Sequence, residues 1–169
     1  DDSLIALEGH GREWLDEQAE QDIARTLGWF TSLYPLRLQA QETLSQTLAD
    51  VRQRLRSVPN KGLGYGLLRY LGNAEQRRSL GELAEPDIAF NYLGQFDAQL
   101  GDGHFMPASE SPGTLVDPAT ALTRELEING QVFAGRLSLS CRFSAQRHRV
   151  QRIEALLAAV GDALQALID

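Results

Sequence analysis

The 169-residue sequence lacks several features that mark specialised binding or redox proteins. It has one cysteine, Cys141, so an internal disulfide cannot form, and this composition fits a reducing cytoplasm. Its three histidines, His10, His104 and His148, lie far apart and do not show the spacing of metal ligands. We therefore expect neither a disulfide framework nor a metal site built from this chain alone.

Basic clusters and long apolar runs are also missing. The net charge is -7, and no patch of Lys and Arg suggests a nucleic-acid partner. The longest apolar runs fall far short of the roughly 20 residues of a membrane span, and no signal peptide is recognisable. The sequence therefore predicts a cytoplasmic protein with no nucleic-acid or membrane partner. Because the chain begins at Asp1 and not at Met, we expect it to be a piece of a longer protein.

Apolar periodicity predicts a sheet with accompanying helices. Strands are expected at 4–7 and 86–96, while 26–38 is β-prone but carries Pro35, which excludes a regular central strand there. Leu44, Leu48, Val51 and Leu55 recur at helical spacing within 42–56. The other predicted segments are a loop or short helix at 14–25, a loop entering a short helix at 60–71 and a long irregular connection at 97–118.

The last third of the chain predicts a hairpin and a closing helix. Strands at 121–128 and 131–143 flank Asn129-Gly130, a pair that favours a type I′ turn. An apolar stripe runs through 145–168, and Ser144 is the expected N-cap. A mixed sheet with helices packed on it belongs to the α/β or α+β class.

Three short motifs could carry chemistry. In "EGHGRE" (8–13), Glu8 follows an apolar strand, and a carboxylate at a strand end is usually only solvated. The two glycines of the motif permit a tight turn or a close approach of the backbone to a ligand. "GLGYG" (62–66) has neither the dinucleotide nor the phosphate-loop spacing, which leaves a packing turn. In "FNYLG" (90–94), Asn91 and Tyr92 should point to opposite faces. An asparagine inside a buried strand needs a hydrogen-bond partner. For Asn91 this partner is either a structural group or the carbonyl of a reacting substrate.

Four segments in this order resemble the C-terminal motifs of the epimerization domains of nonribosomal peptide synthetases. They are "EGHGRE" (8–13), "RTLGWFTSLYPLRL" (25–38), "VPNKGLGYG" (58–66) and "FNYLGQFD" (90–97). Members of that family have two lobes similar to chloramphenicol acetyltransferase, with a tunnel between them. The family's His-His-x-x-x-Asp motif is absent here, since the sequence contains no "HH". The resemblance implies that residues 1–169 are the C-terminal part of such a domain, beginning inside the second lobe, and that the N-terminal lobe is its partner.

The resemblance also implies an isomerase activity. Family members invert the Cα of an aminoacyl or peptidyl thioester that is attached to the phosphopantetheine arm of a peptidyl carrier domain, with no cofactor of their own. The products are peptide secondary metabolites such as antibiotics or siderophores. Glu8 matches the catalytic glutamate and is assigned general acid/base, while Arg12, Asn91 and Tyr92 match residues near the site. Asn91 is preferred over Tyr92 as the donor to the enolate oxygen.

The residues leave several points open. Burial of Glu8 would raise its pKa, whereas a pairing with Arg12 would lower it. Without the family's histidine, the chain alone is predicted to be inactive. The alternatives are a condensation-type acyl-thioester enzyme and a non-catalytic module that docks carrier domains. An uncovered apolar face also predicts self-association of the isolated chain.

Overall fold

A computed structural model shows a mixed sheet with helices packed beside it. It describes residues 2–12, 23, 25–95, 110–114, 116–117 and 119–168. In these residues the strands are β1 (Asp2–Gly9), β2 (Ser32–Gln39), β3 (Ile88–Gln95), β4 (Leu126–Phe133) and β5 (Arg136–Phe143). The helices are α1 (Leu44–Ser57), α2 (Leu63–Leu71), α3 (Ala74–Gly81) and α4 (Val150–Ile168), with a 3-10 turn at Pro59–Gly62.

The five strands lie in the order β2-β1-β3-β4-β5. The central pairs β1–β3 and β3–β4 are parallel, and the outer pairs are antiparallel, so the predicted mixed α/β (α+β) sheet is confirmed. β2 forms one edge of the sheet, and this position explains how Pro35 fits within a strand. A proline cannot donate to a neighbouring strand and is tolerated where one side of the strand is unpaired.

The two faces of the sheet differ in polarity. Side chains alternate along a strand and aligned residues of neighbouring strands share a face, so Leu7, Phe90 and Ile128 form an apolar row. α1 packs over this face, because Val51 and Leu55 line a cavity together with residues of the apolar row. The opposite face carries the polar residues of the same strands, and it holds the candidate site.

The predicted helix at 42–56 is confirmed as α1. Thr43 caps its first turn: the Thr43 hydroxyl accepts from the Gln46 amide at 3.2 Å, and the Gln46 side chain accepts from the Thr43 amide at 3.1 Å. α2 confirms the short helix predicted within 60–71, and β3 confirms the strand at 86–96. α3 was not predicted.

The hairpin exists, but its predicted turn is wrong. Asn129 and Gly130 lie inside β4, and the turn is Ala134-Gly135, where φ is +50° and +67°. The observed register pairs Leu126 with Phe143, Ile128 with Cys141 and Val132 with Leu137. A two-residue turn at Asn129-Gly130 would instead place Ile128 opposite Gln131, so apolar cross-strand pairing outweighs the local preference of the Asn-Gly pair.

The closing helix is shorter than predicted, and Ser144 is not its N-cap. α4 begins at Val150, and the Ser144 carbonyl accepts from the amides of Arg147 and His148 at 3.0 and 2.9 Å. These bonds form a separate turn before the helix. Ile153 on α4 is 6% exposed and is one of the few buried apolar side chains in the described part of the chain.

Two predicted segments lie largely outside the described residues. These are the loop or short helix at 14–25 and the connection at 97–118, of which the described positions 110–114 and 116–117 are irregular. Within the described ranges, no helix has the length and apolarity to cross a bilayer, and no group of side chains has the make-up of a metal site.

Candidate active site

Glu8 lies at the carboxyl end of β1, on the polar face of the sheet. Its strand is paired with β3 in parallel, with Leu7 aligned to Phe90, so the next residues, Glu8 and Asn91, follow on the same face. Asn91 in turn is aligned with Asn129 of β4. The parallel strands therefore bring a carboxylate and two amides to one region of the sheet.

These side chains line an open cavity of about 330 Å³. Its walls include Glu8, Trp29, Leu33, Asn91, Glu127, Asn129 and Arg142. Trp29 is 92% exposed, although its indole is one of the largest apolar groups in the chain. An apolar wall beside a carboxylate and amides can receive an organic acyl group and present polar atoms to it.

A β-bulge ends the regular pairing of β3 just beyond Asn91. Tyr92 is aligned with Gly130 and Gln95 with Val132, so β3 has one more residue than β4 between these pairs. Gly94 has φ +86° within this bulge. Bulges turn a strand and redirect its side chains, and here the change falls next to the two site residues.

The electrostatics around Glu8 favour its neutral form. Partial desolvation raises the pKa of the Glu8 carboxyl above its ordinary value, and the negative charge of Glu127 raises it further. Glu8 is nevertheless exposed and does not have the buried side chain that a tunnel wall implies. The direction of the pKa shift thus agrees with the expectation from burial, but it arises from incomplete desolvation together with a second carboxylate.

Glu127 is itself held by a cation. Arg142 donates from Nη1 to Glu127 Oε2 at 2.9 Å, and the Glu127 side chain is 22% exposed. The two residues are directly opposite each other in the β4–β5 ladder. The ion pair therefore holds the Glu127 carboxylate in place at the wall of the cavity.

Arg12 does not pair with Glu8 in the described part of the chain. Its guanidinium donates to the carbonyl oxygens of Ile23 and Gly28 at 2.5 and 3.3 Å, and lies 4.3 Å from the centre of the Phe30 ring. The ion pair that would lower the pKa of the Glu8 carboxyl is therefore not formed among the described residues. The contacts of Arg12 hold the segment that carries Trp29.

The turn after Glu8 depends on close backbone contact. Gly11 has φ +67°, and a Cβ at this position would come within 1.5 Å of the Phe30 carbonyl oxygen. The Arg12 amide donates to His10 Nδ1 at 3.0 Å, so the imidazole takes part in shaping this turn. The role expected for the glycines of "EGHGRE" is confirmed at Gly11.

Tyr92 lies on the opposite face from Asn91, as predicted from the alternation. It lines a second cavity of about 290 Å³ under α1, with Tyr34 and Phe90, and Glu8 borders this cavity as well. Glu8 thus stands between the two spaces at the end of its strand. Asn91 shares the polar cavity with Glu8, whereas Tyr92 shares the apolar one.

Sequence reasoning missed Glu127, Asn129, Arg142 and Trp29 as site residues. The incorrect turn removed Asn129 from β4, although alternation along an uninterrupted strand would have placed Glu127 and Asn129 on one face. Trp29 lies in a segment without regular structure, and no periodicity could locate it.

Comparison with known proteins places this arrangement in a family. The condensation-domain profile matches residues 1–169. The chain is 37% identical over its whole length to gramicidin S synthase 1 of Brevibacillus brevis, and 39% identical over 97% of its length to bacitracin synthase 3 of Bacillus licheniformis. It spans 16% and 2% of these two proteins.

Solved structures agree with the sequence matches. The epimerization domain from the third module of tyrocidine synthetase B superposes with a TM-score of 0.86 at 34% identity, over 99% of this chain and 37% of that one. The first condensation domain of the CDA synthetase superposes with a TM-score of 0.52 at 17% identity, over 93% of this chain and 32% of that one, which shows a shared fold. The resemblance drawn from the four motifs and the chloramphenicol acetyltransferase-like fold are confirmed. The chain belongs to the condensation-domain family of nonribosomal peptide synthetases.

Proposed function

We propose that the chain is the C-terminal part of an epimerization domain, which converts an L-aminoacyl or peptidyl thioester on a carrier domain to the D form. The observation that carries this proposal is the shared cavity of Glu8 and Asn91 on a fold that superposes on an epimerization domain with a TM-score of 0.86. A carboxylate with a raised pKa beside an amide donor suits proton abstraction next to a carbonyl.

The reaction assigns one task to each of these groups. Glu8 accepts the Cα proton, the Cα–H bond breaks, and its electron pair moves into the thioester carbonyl to form an enolate. Asn91 donates a hydrogen bond to the enolate oxygen, where a single preorganised donor contributes about 3–4 kcal/mol. Delivery of a proton to the opposite face of Cα gives the inverted configuration. In our proposal the donor for that step is the histidine of the family motif that this sequence lacks.

The substrate reaches the site on the phosphopantetheine arm of a peptidyl carrier domain, which is part of the substrate in this proposal. No cofactor of the domain's own is required, because the thioester itself acidifies the Cα proton. Trp29 and Leu33 would lie against the acyl group, while Glu8 and Asn91 face its reacting carbon and oxygen. The N-terminal lobe would close the cavity from the other side.

The test is exchange of the Cα hydrogen with solvent, measured by mass spectrometry on a carrier-bound aminoacyl thioester. In the complete domain, Glu8→Gln is expected to abolish exchange, since the amide cannot accept the proton. Glu154→Gln, the same change at an exposed position of α4, should retain it. Exchange that persists in a folded Glu8→Gln domain would refute the role of Glu8.

A condensation activity is the second candidate, because the family profile that matches the chain is that of condensation domains. The two reactions differ in their need for an acceptor amine. Formation of a D-configured thioester without an acceptor supports epimerization, whereas a new peptide bond with no exchange at Cα supports condensation. If the domain binds the carrier but forms neither a D-configured thioester nor a peptide bond, its role is docking alone. Appreciable exchange by the 169-residue chain alone would contradict the division of labour proposed here.

A further inference from the structure

We propose that the Glu127–Arg142 ion pair is a positioning element of the candidate site, which makes Glu8 a stronger proton acceptor. This inference deepens the proposed function and rests on it for the meaning of Glu8 as a base. It concerns two residues of β4 and β5 that neither accept nor donate the substrate proton. They act by setting the charge that faces Glu8.

The geometry places both partners against the same space as Glu8. Glu127 and Arg142 line the cavity of Glu8 and Asn91, and they are opposite each other in the β4–β5 ladder. Their side chains join through the 2.9 Å contact between Arg142 Nη1 and Glu127 Oε2. The ladder fixes the backbone position of Glu127, and the guanidinium holds its carboxylate in place.

Among the described residues, few other charged or titratable groups lie around Glu8. Arg124, in the segment before β4, donates to Glu85 Oε2 and to the Pro86 carbonyl, each at 2.9 Å. Tyr34 of β2 and Tyr92 of β3 border Glu8 on the helix side, and His10 follows it along the chain. β2 adds Leu33 and the preceding segment Trp29, which are both uncharged. Within the described ranges, Glu127 is therefore the principal charge acting on Glu8.

Like-charge repulsion supplies the physical effect. A carboxylate beside a second carboxylate holds its proton more tightly, so the negative charge of Glu127 raises the pKa of the Glu8 carboxyl in addition to the larger effect of desolvation. A higher proton affinity improves a carboxylate as a base toward carbon. Arg142 has two effects: its hydrogen bond holds the Glu127 carboxylate in place, and its own positive charge offsets part of the repulsion.

The test is the protonation midpoint of Glu8 in the full protein that carries the chain. Carbodiimide and an amine label protonated carboxyl groups, and peptide mass spectrometry reads the extent of labelling at Glu8 as a function of pH. Glu127→Gln is expected to lower the midpoint, because the repelling charge is lost and an unpaired arginine remains. Arg142→Gln is expected to raise it. The double variant should lie below the wild type but above Glu127→Gln.

The test includes a matched control variant and a second variant that tests the proposal independently. Glu154→Gln on α4 removes a distant exposed carboxylate and should leave the midpoint unchanged. The Arg142 side chain is 49% exposed, so Arg142→Gln tests the proposal even if Glu127→Gln fails to fold. An unchanged or raised midpoint in Glu127→Gln, or a lowered one in Arg142→Gln, overturns the inference.

The outcome is separable from that of the proposed function. If Glu8 is not the base, Cα exchange survives Glu8→Gln while the predicted order of midpoints still holds. If Glu127 and Arg142 have only a structural role, Glu8→Gln abolishes exchange while the midpoints of the folded variants coincide with that of the wild type.

Discussion

Glu8 connects the candidate site with the stability of the fold. Its pKa is raised in the folded chain by desolvation first and by Glu127 second. Between the ordinary carboxyl pKa and this raised value, the native state binds more protons than the unfolded state. The free energy of unfolding therefore falls as the pH rises through that window, and above it the ionised Glu8 destabilises the fold.

Replacement of Glu8 by Gln is accordingly expected to stabilise the chain at neutral pH. The neutral amide avoids the penalty of ionising beside Glu127, and the gain should vanish at a pH below the ordinary carboxyl pKa, where Glu8 is already protonated. Since Glu8 is exposed, solvent screening keeps the gain small. Thermal unfolding at neutral and acidic pH measures it. A variant that is less stable than the wild type at neutral pH would contradict the assigned direction of the pKa shift.

Arg12 shows how a motif can identify a residue without revealing its task. The resemblance placed Arg12 near the site, and charge alone suggested a pairing with Glu8. In the fold, two carbonyl groups and the Phe30 ring take up the guanidinium instead. Whether Arg12 also affects turnover stays a prediction. Its observed contacts make it an anchor for the segment that brings Trp29 to the cavity.

At the scale of secondary structure elements, the β4–β5 hairpin shows that cross-strand packing, and not the local turn preference, determines where the chain turns. Asn129-Gly130 is the stronger turn sequence, yet the chain turns at Ala134-Gly135. The register that results from this turn aligns apolar side chains on the face that packs against the helices. Because each such pair adds roughly 0.2–1 kcal/mol, several pairs together outweigh one favourable turn.

The same glycine substitution should have opposite effects in this turn and in α4. Gly135 has φ +67° with open space around its Cα, so Gly135→Ala is expected to destabilise the fold by about 1–2 kcal/mol from backbone strain alone. Gly161 also has open space but lies within a helix, where Gly161→Ala should stabilise by roughly 0.5–1 kcal/mol. Urea unfolding of the two variants tests this. Equal signs for both would mean that the turn does not lie at Ala134-Gly135.

Elements with a long apolar period were predictable, whereas those defined by pairing were not. α1 and β3 were found within a few residues, because helical spacing and a proline at the entry identify them. α3 was missed because Ala74 and Leu80 are the only apolar side chains of its eight residues and form no helical period, although the Asn73–Gln76 capping box marked its start. Glu8, Asn91 and Tyr92 were selected from motifs, and the structure places them at the two cavities, although their roles stay predictions. Glu127 and Arg142 depended on a strand register that only the assembled sheet determines.

At the scale of the whole molecule, the part of the chain that the structure describes has a small apolar core. Among the described residues, the buried hydrophobic side chains are Ala6, Leu36, Leu126 and Ile153. Large apolar groups remain exposed at the same time, with Leu67, Tyr70 and Leu71 of α2 at 44%, 69% and 80%. α2 contacts β2 and α3, and its exposed Leu67 and Leu71, one helical turn apart, form an apolar patch on the surface.

This patch leads us to expect concentration-dependent self-association of the isolated chain, measurable by size-exclusion chromatography with light scattering. Leu67 and Leu71 are one helical turn apart, so Leu67→Lys with Leu71→Lys places two charges on one stripe and should shift the chain towards monomer. The matched control is Ala49→Lys with Gln53→Lys on an exposed stripe of α1.

Both double variants change the net charge from -7 to -5, because each adds two positive charges. A smaller net charge weakens the repulsion between copies, so electrostatics alone would promote association in both. Dissociation confined to the α2 variant would therefore identify loss of apolar contact as the cause. If the control dissociates equally, or if the wild-type chain is a monomer at every concentration, the α2 patch does not drive association, and the exposed leucines are then compatible with a solvated surface.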